Sequence, residues 1–342
     1  MSIINTVTGP IDSSQLGICL PHEHLFNNVT SWSTPSKSKG IDSTEFLNAK
    51  VSNEIIWDLK NDPFGNLDNC SLDDFEVMTS ELNRYVELGG NSLIETTSLS
   101  IGRDLEALQK LSQVTGVSII AGSGFYLDDS LPPDFAHFSV DEVADQILSD
   151  LEFGIKGIRP GIIGEIGISS LFTNNEKNSL TGACIAQIKS QLPMQVHLPG
   201  WQRLGHSVLD VIEEVGVDLS KVVLCHMGPS GFDSDYQKSL ADRGAWIQYD
   251  MIGMELYYAD QEVQCPSDED NAKNLIALFA SGYGEQVLIS QDIFIKSLLR
   301  VNGGPGYSHI LQYFIPRLLR LGMPTRDIDQ LIIGNPRNLF EK

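Results

Sequence analysis

Eight short apolar runs recur along the chain, and the segments between them carry apolar residues at helical spacing. Short, doubly buried strands that alternate with amphipathic helices form parallel sheets with the helices outside. A count of eight favours a closed (β/α)8 barrel, the TIM barrel, over an open doubly wound sheet. No glycine-rich nucleotide-binding fingerprint follows the first run. The predicted strands are residues 16–20, 92–96, 117–121, 161–166, 194–197, 221–226, 245–249 and 286–292.

The length of 342 residues suggests two domains by itself, but barrels of this size commonly fold as one. We therefore predict a single domain over residues 1–342.

Polar residues mark the ends of several runs. His22 and His24 follow the first run, and because side chains alternate along a strand, both point the same way. Further polar residues follow or interrupt later runs: Glu165, His197, His226 and Asp292.

The carboxyl ends of barrel strands meet at one mouth, so these six side chains are expected to converge there. Taken singly, His197 or His226 fits a core histidine, whereas Glu165 is costly to bury without a partner. Taken together, the six residues predict a metal site. The other histidines are interpreted as surface groups: His137, His206 and His309.

Imidazole and carboxylate donors without cysteine suit Zn²⁺, Mn²⁺, Co²⁺ or Fe²⁺. Six ligands are too many for one ion with an open position, and they suit two ions about 3.5–4 Å apart, bridged by a carboxylate and a hydroxide. Such a pair lowers the pKa of bound water to roughly 7 and polarises the electrophilic oxygen of a substrate. Asp292 is the natural proton acceptor, since it can touch both the hydroxide and the departing group.

Residues 25–72 form a long connection after the first strand. Residues 31–40 are rich in Ser, Lys, Thr and Pro, residues 61–66 have turn chemistry, and a helix is predicted over residues 45–59. An insertion placed directly after ligand candidates is interpreted as an active-site cover, with a plain surface loop as the alternative.

Composition restricts the partners. The net charge of −22 argues against a nucleic-acid or anionic-membrane partner. No apolar stretch approaches the roughly 20 residues that span a bilayer, and the first residues lack a secretory-signal pattern. The five cysteines have no CxxC spacing and are interpreted as reduced thiols. We predict a cytoplasmic protein that acts on a small molecule.

Seven segments spread along the chain carry a family pattern: residues 6–10, 20–26, 161–167, 196–197, 225–226, 290–292 and 333–336. Through them the chain resembles the phosphotriesterase-like family of the amidohydrolase superfamily over essentially its full length. The resemblance implies His22, His24 and Asp292 on a buried ion, His197 and His226 on a more exposed ion, and a bridging residue from the fourth strand. It further implies two divalent ions per chain, zinc first with Mn, Co or Fe as alternatives, and a homodimer.

One departure from the family pattern affects the expected activity. Members that hydrolyse organophosphates efficiently carry a carboxylated lysine where this chain has Gly164, followed by Glu165. The chain is therefore similar to the phosphotriesterase-related branch, in which the glutamate bridges. Residues 197–201 and 250–254 resemble a subgroup of resiniferatoxin-binding, phosphotriesterase-related proteins.

Aromatic residues near the strand ends complete the predicted site. Tyr126 matches a tyrosine that lactonases of this family place beside the hydroxide, so we predict that it orients the substrate carbonyl; an aromatic plug is the alternative. Three further aromatic residues on loops are interpreted as a pocket wall or as loop anchors: Trp201, Tyr257 and Tyr258.

The leading functional hypothesis is a binuclear metal-dependent hydrolase whose bridging hydroxide attacks a carbonyl carbon, that of a lactone first, with ester and amide as close alternatives. The second is a phosphotriester or phosphoester hydrolase that uses the same ions. A third is a binding protein that has lost catalysis, and the intact set of ligand positions argues against it.

Overall fold

The computed structural model describes residues 2–341, and its centre is one sheet of eight parallel strands in chain order. Each strand pairs with the next, as the predicted TIM barrel requires. The last strand meets the first where the Asp292 amide donates to the His22 carbonyl at 3.3 Å. The strands are β1 Cys19–Glu23, β2 Ser92–Glu95, β3 Ser118–Ser123, β4 Ile162–Gly167, β5 Met194–His197, β6 Val222–Leu224, β7 Trp246–Tyr249 and β8 Val287–Ile289.

Helices follow the strands, and several begin where the sequence provides a cap. Asp74 accepts from the amides of Glu76 and Val77, and Ser139 forms a capping box with Glu142. Two π-helical turns occur near the end of the chain, at Ile310–Phe314 and Gln330–Gly334. The α-helices are α1 Ser43–Asn48, α2 Ile56–Asn61, α3 Phe75–Glu87, α4 Leu105–Thr115, α5 Val140–Phe153, α6 Asn174–Ser190, α7 Gly205–Val215, α8 Ser234–Asp242, α9 Asp268–Ala280, α10 Ile315–Arg320, α11 Thr325–Asp329 and α12 Asn335–Glu341.

Three two-stranded antiparallel sheets accompany the barrel. They pair Ile3–Thr6 with Gly9–Asp12, Asn27–Asn28 with Ser71–Leu72, and Tyr257–Tyr258 with Val263–Gln264. Among residues 2–341, no helix has the length and apolar character needed to cross a membrane.

Alternation along the strands produces two buried clusters. One contains Ile94, Ile120 and Trp246 together with Leu339 and Phe340 of α12, so the last helix packs on side chains that point into the barrel. The residues that neighbour these along the strands belong to the other, larger cluster between strands and helices. Both faces of each strand are therefore buried away from solvent, which explains the continuous apolar runs in the sequence.

The predicted helix over residues 45–59 is wrong. The chain forms α1 and α2 instead, with Ala49 in an extended conformation between them. Asn66 donates to the carbonyls of Phe46 and Ala49, and Asp68 accepts from the Val51 amide at 3.0 Å. These side chains satisfy the backbone groups of α1 at its end and of the residues after it, so the helix stops there.

Candidate metal centre

Glu165 of β4 lies at the centre of a cluster formed by the six predicted ligand residues. Its Oε2 is 3.4 Å from His197 Nδ1, 3.4 Å from His226 Nε2 and 3.6 Å from His22 Nε2. Its Oε1 is 3.4 Å from His24 Nε2. The second carboxylate belongs to Asp292, whose Oδ1 lies 3.3 Å from His24 Nε2 and 3.7 Å from His22 Nε2. The six side chains thus meet at the carboxyl ends of their strands.

Two of these atoms lack a hydrogen-bond partner among the described residues, namely His22 Nε2 and Glu165 Oε2. Both are buried, and an unpaired buried polar atom is costly. Two triads have ligand atoms within 4.8 Å of one another, His22 with Glu165 and His226, and His22 with His24 and Asp292. A divalent cation held by these triads would give both buried atoms a partner, so the residues present fit divalent metal.

The carboxylates draw positive charge into this site. Burial lowers the pKa of His24, but Asp292 and Glu165 outweigh it and raise this pKa to about 10. Burial likewise opposes ionisation of Glu165, yet the neighbouring histidines hold its pKa well below the usual range. The pKa of His197 is lowered, first by burial and then by the charge of His226. These directions favour a protonated His24 ring beside an ionised Glu165, and a metal ion would displace that proton.

Hydrogen bonds behind β1 orient its two imidazoles. His22 Nδ1 lies 2.9 Å from Gln195 Oε1. This oxygen accepts from Nδ1 in the tautomer that leaves Nε2 without a proton and able to bind a metal. His24 Nδ1 lies 2.8 Å from the Thr97 hydroxyl, which in turn donates to Glu95 at 2.6 Å. Such partners fix the tautomer and the direction of a metal-binding histidine.

Asp250 orients His226 in the same way, although it was not among the residues predicted for the site. Its carboxylate accepts from the His226 amide at 3.0 Å and lies 2.9 Å from His226 Nδ1. His226 has a positive φ of 58°, and the carboxylate holds both its backbone and its ring. The signal was present, because Asp250 directly follows β7 just as the ligand candidates follow other strands.

A third triad of donors joins His22 with Cys225 and Asp250. Burial raises the pKa of the Cys225 thiol well above its ordinary value, and nearby carboxylates raise it further. Its Sγ lies 3.6 Å from Gln195 Oε1 and 3.5 Å from Gln248 Nε2. The thiol therefore remains protonated within a hydrogen-bonded layer beneath the cluster.

Glu23 points away from its neighbours His22 and His24 and holds the loop after β8. Its Oε1 accepts from the Ser290 hydroxyl at 2.7 Å and from the Gln291 amide at 2.9 Å, and its Oε2 accepts from the Ile293 amide at 3.0 Å. These bonds bracket Asp292, whose φ is 51°. Burial raises the pKa of Glu23 to about 7 against the effect of these donors.

Gly164 cannot carry a side chain in this backbone. Its φ is 112°, and a Cβ would lie 2.4 Å from the Gln195 carbonyl oxygen. A lysine at this position would therefore require a different path for β4. Glu165 fills the centre of the cluster in its place.

A cavity of about 510 Å³ opens above the cluster. Tyr126 lines it, with its hydroxyl 3.0 Å from His197 Nδ1. Trp201 and Tyr258 line it too, whereas Tyr257 is not among the described lining residues. Trp201 also anchors a loop, since its Nε1 donates to the Gln264 carbonyl at 3.4 Å.

The insertion of residues 25–72 contributes several lining residues. Among them, Trp32 stacks on Tyr126 with ring centroids 5.5 Å apart, and its ring centroid lies 6.4 Å from that of His197. The three other histidines lie elsewhere. His137 is exposed, while His206 and His309 are half-buried, the latter 2.7 Å from Asp268.

A TIM barrel with imidazoles and carboxylates gathered at its mouth is the architecture of a metal-dependent enzyme. The chain belongs to the phosphotriesterase family, whose model matches residues 2–340. It is 33% identical to the N-acetyltaurine hydrolase of Xenopus tropicalis over 98% of this chain and 96% of that protein.

Two solved structures extend the comparison. A resiniferatoxin-binding protein from Rhodobacter sphaeroides is 44% identical, with a TM-score of 0.96 over 99% of this chain and 95% of that one. A phosphotriesterase homology protein from Escherichia coli, with phosphate in its active site, is 28% identical, with a TM-score of 0.79 over 96% and 100%. The family predicted from the sequence motifs is confirmed, and the relatives named for an activity make the chain a hydrolase.

Proposed function

We propose that this chain hydrolyses carboxylic acyl compounds by attack of water on a carbonyl carbon. The observation that carries the proposal is the position of Tyr126 and Asp292. Both line the cavity above the Glu165-centred cluster. The Tyr126 hydroxyl can donate a hydrogen bond, and the Asp292 carboxylate can accept a proton. A carbonyl group in the cavity would therefore have a donor and a base beside it.

The six clustered residues would hold two divalent metal ions, and Glu165 lies at the centre of the cluster. When bound, such ions lower the pKa of water to roughly 7 and polarise the electrophilic oxygen. Zinc as the metal, a homodimeric state and a cytoplasmic location stay predictions.

Asp292 is proposed as the group that moves the proton. Its carboxylate faces His22 and His24, and Glu23 fixes the backbone on both sides of it. From this position Asp292 takes a proton from the attacking water and passes it to the departing oxygen or nitrogen. The acceptor role suits a carboxylate that keeps some contact with solvent, and the Asp292 side chain is 9% exposed.

Tyr126 is proposed to donate to the substrate carbonyl oxygen. Burial raises the pKa of its hydroxyl well above the ordinary value, so the group stays protonated. We expect Tyr126→Phe to lower kcat/KM by about 10–100-fold, less than the loss of a dedicated oxyanion donor, because metal shares the role. Steady-state kinetics with metal content measured in parallel checks this. Unchanged kcat/KM in a fully metal-loaded variant would leave Tyr126 as an aromatic plug.

The acyl group is predicted from the sequence to be a lactone. The full-length relatives named N-acetyltaurine hydrolase support an amide equally, since that name describes cleavage of an N-acyl bond. A phosphoester is the second candidate, favoured by the phosphate found in the active site of the Escherichia coli neighbour. Glu165 in place of a carboxylated lysine supports the acyl centre over an organophosphate.

A substrate panel separates these candidates. Purified protein loaded with Zn²⁺ or Mn²⁺ is assayed with lactones, N-acyl amides, esters, phosphomonoesters and an aryl phosphotriester. We expect acyl compounds to exceed the phosphorus compounds by at least about 100-fold in kcat/KM and chelation to abolish turnover. Higher kcat/KM on a phosphorus centre would establish the second candidate, and no turnover at all would favour a binding protein.

A further inference from the structure

The inner part of the cavity is lined by aromatic rings. Trp32 packs edge-on against Phe294 with centroids 6.1 Å apart and stacks on Tyr126 at an interplanar angle of 23°. Trp201 packs edge-on against Tyr258 at 5.5 Å. All five rings line the same cavity. Such walls gain binding energy from a planar or branched apolar group that covers them.

The size of the cavity points to a large ligand. Its volume of about 510 Å³ lies within the roughly 300–1,000 Å³ typical of pockets for drug-sized molecules. Leu198, Met251 and Val263 add aliphatic surface to the aromatic walls. A two-carbon acyl group would leave most of this surface uncovered, and its binding energy would not be used.

The open end of the cavity is acidic. Asp129 and Asp260 line it and are exposed to solvent. Within residues 2–341, no lysine or arginine is among the lining residues. Arg203 directly follows the lining residues Trp201 and Gln202 in the sequence. Its guanidinium, however, contacts Asp233 at 3.2 Å and lies over the ring of Tyr236. An anionic group at this end meets like charge, whereas a cationic group is attracted.

Resting on the hydrolase function proposed above, we infer that the preferred substrate has a large apolar acyl body and an uncharged or cationic group at the cavity mouth. A small sulfonate amide such as N-acetyltaurine is then a poor substrate, although relatives at about one-third identity are named for it. The acidic mouth and the aromatic interior together define this class.

The test uses amides that differ only in charge or in acyl size. Phenylacetyl and acetyl amides are made with taurine, ethanolamine and ethylenediamine, whose distal groups are anionic, neutral and cationic. For each acyl group, we expect kcat/KM for the neutral and cationic amides to exceed that of the taurine amide by about tenfold at low ionic strength, and the gap to narrow with salt. We expect the phenylacetyl amides to exceed the acetyl amides. An amide that is not turned over is ranked by its Ki against the best substrate.

Substitutions test whether the acidic mouth causes the charge preference and whether Trp32 causes the acyl preference. Asp129→Asn combined with Asp260→Asn should shrink the charge preference several-fold, and Trp32→Ala should shrink the acyl preference. Glu152→Gln with Glu214→Gln is the control, since it removes two exposed charges from α5 and α7 and should leave the charge preference intact. A wild-type preference for N-acetyltaurine overturns the inference while leaving hydrolysis in place, whereas no turnover of any acyl compound overturns the proposed function as well.

Discussion

Asp292→Asn is expected to lower kcat by about 10³-fold while the protein keeps its fold and most of its metal. A positioned general base contributes roughly 10²–10⁴-fold, and an amide cannot accept the proton. The asparagine oxygen can still occupy the place of Oδ1, which lies 3.3 Å from His24 Nε2. Kinetics on the best acyl substrate, together with elemental analysis of the same preparation, measure both quantities.

The matched control for that change is Asp74→Asn. Asp74 caps α3 through the Glu76 and Val77 amides, and asparagine caps a helix as well as aspartate does. We expect this variant to retain wild-type kcat. Near-normal turnover in Asp292→Asn would remove the residue from proton transfer, and loss of metal together with turnover would make it a ligand only.

Glu165→Gln is expected to remove both the metal and the activity. Its carboxylate approaches four imidazoles at 3.4–3.6 Å, and a neutral amide there no longer balances bound cations. Because changes to groups behind the ligands already cost 10–100-fold in metal affinity, a central ligand should cost more than about 100-fold. Titration with a competing chelator measures the affinity, and kcat should fall below detection at limiting metal.

A comparison of metal-free proteins separates this effect from misfolding. Glutamine keeps the shape of glutamate but removes the charge that balances the protonated His24 ring, so the chelator-treated variant should unfold cooperatively at a lower temperature than chelator-treated wild type. Only the wild type should gain stability when metal is added. Full metal occupancy and activity in Glu165→Gln would rule out a central role for the carboxylate.

Much of the barrel could be predicted because its signal is local. Runs such as residues 221–226 and 245–249 carry apolar side chains on both faces, and the structure forms β6 and β7 within them. The site residues could be nominated for the same reason, since each ends or interrupts such a run. That they meet at one point follows from barrel geometry, which places every carboxyl end at one rim.

The rest depends on contacts between distant segments. The break between α1 and α2 is set by Asn66 and Asp68, which lie beyond both helices. Asp250 gains its role only because the β6 end, with His226, lies beside it. The stacking of Trp32 on Tyr126 brings the insertion to the cavity, and no periodicity in residues 25–72 encodes it.

The bracket formed by Glu23 has a consequence for how the molecule is assembled. Its bonds to the Gln291 and Ile293 amides join groups 268 and 270 residues apart in the chain. Contacts of such long range are slow to form, because most of the intervening polypeptide must already be ordered. The proposed catalytic carboxylate is therefore held in place only once the seam of the barrel has closed. Competence for turnover is thus acquired late in folding, and a chain interrupted before β8 would carry four histidines and a glutamate without a functional centre.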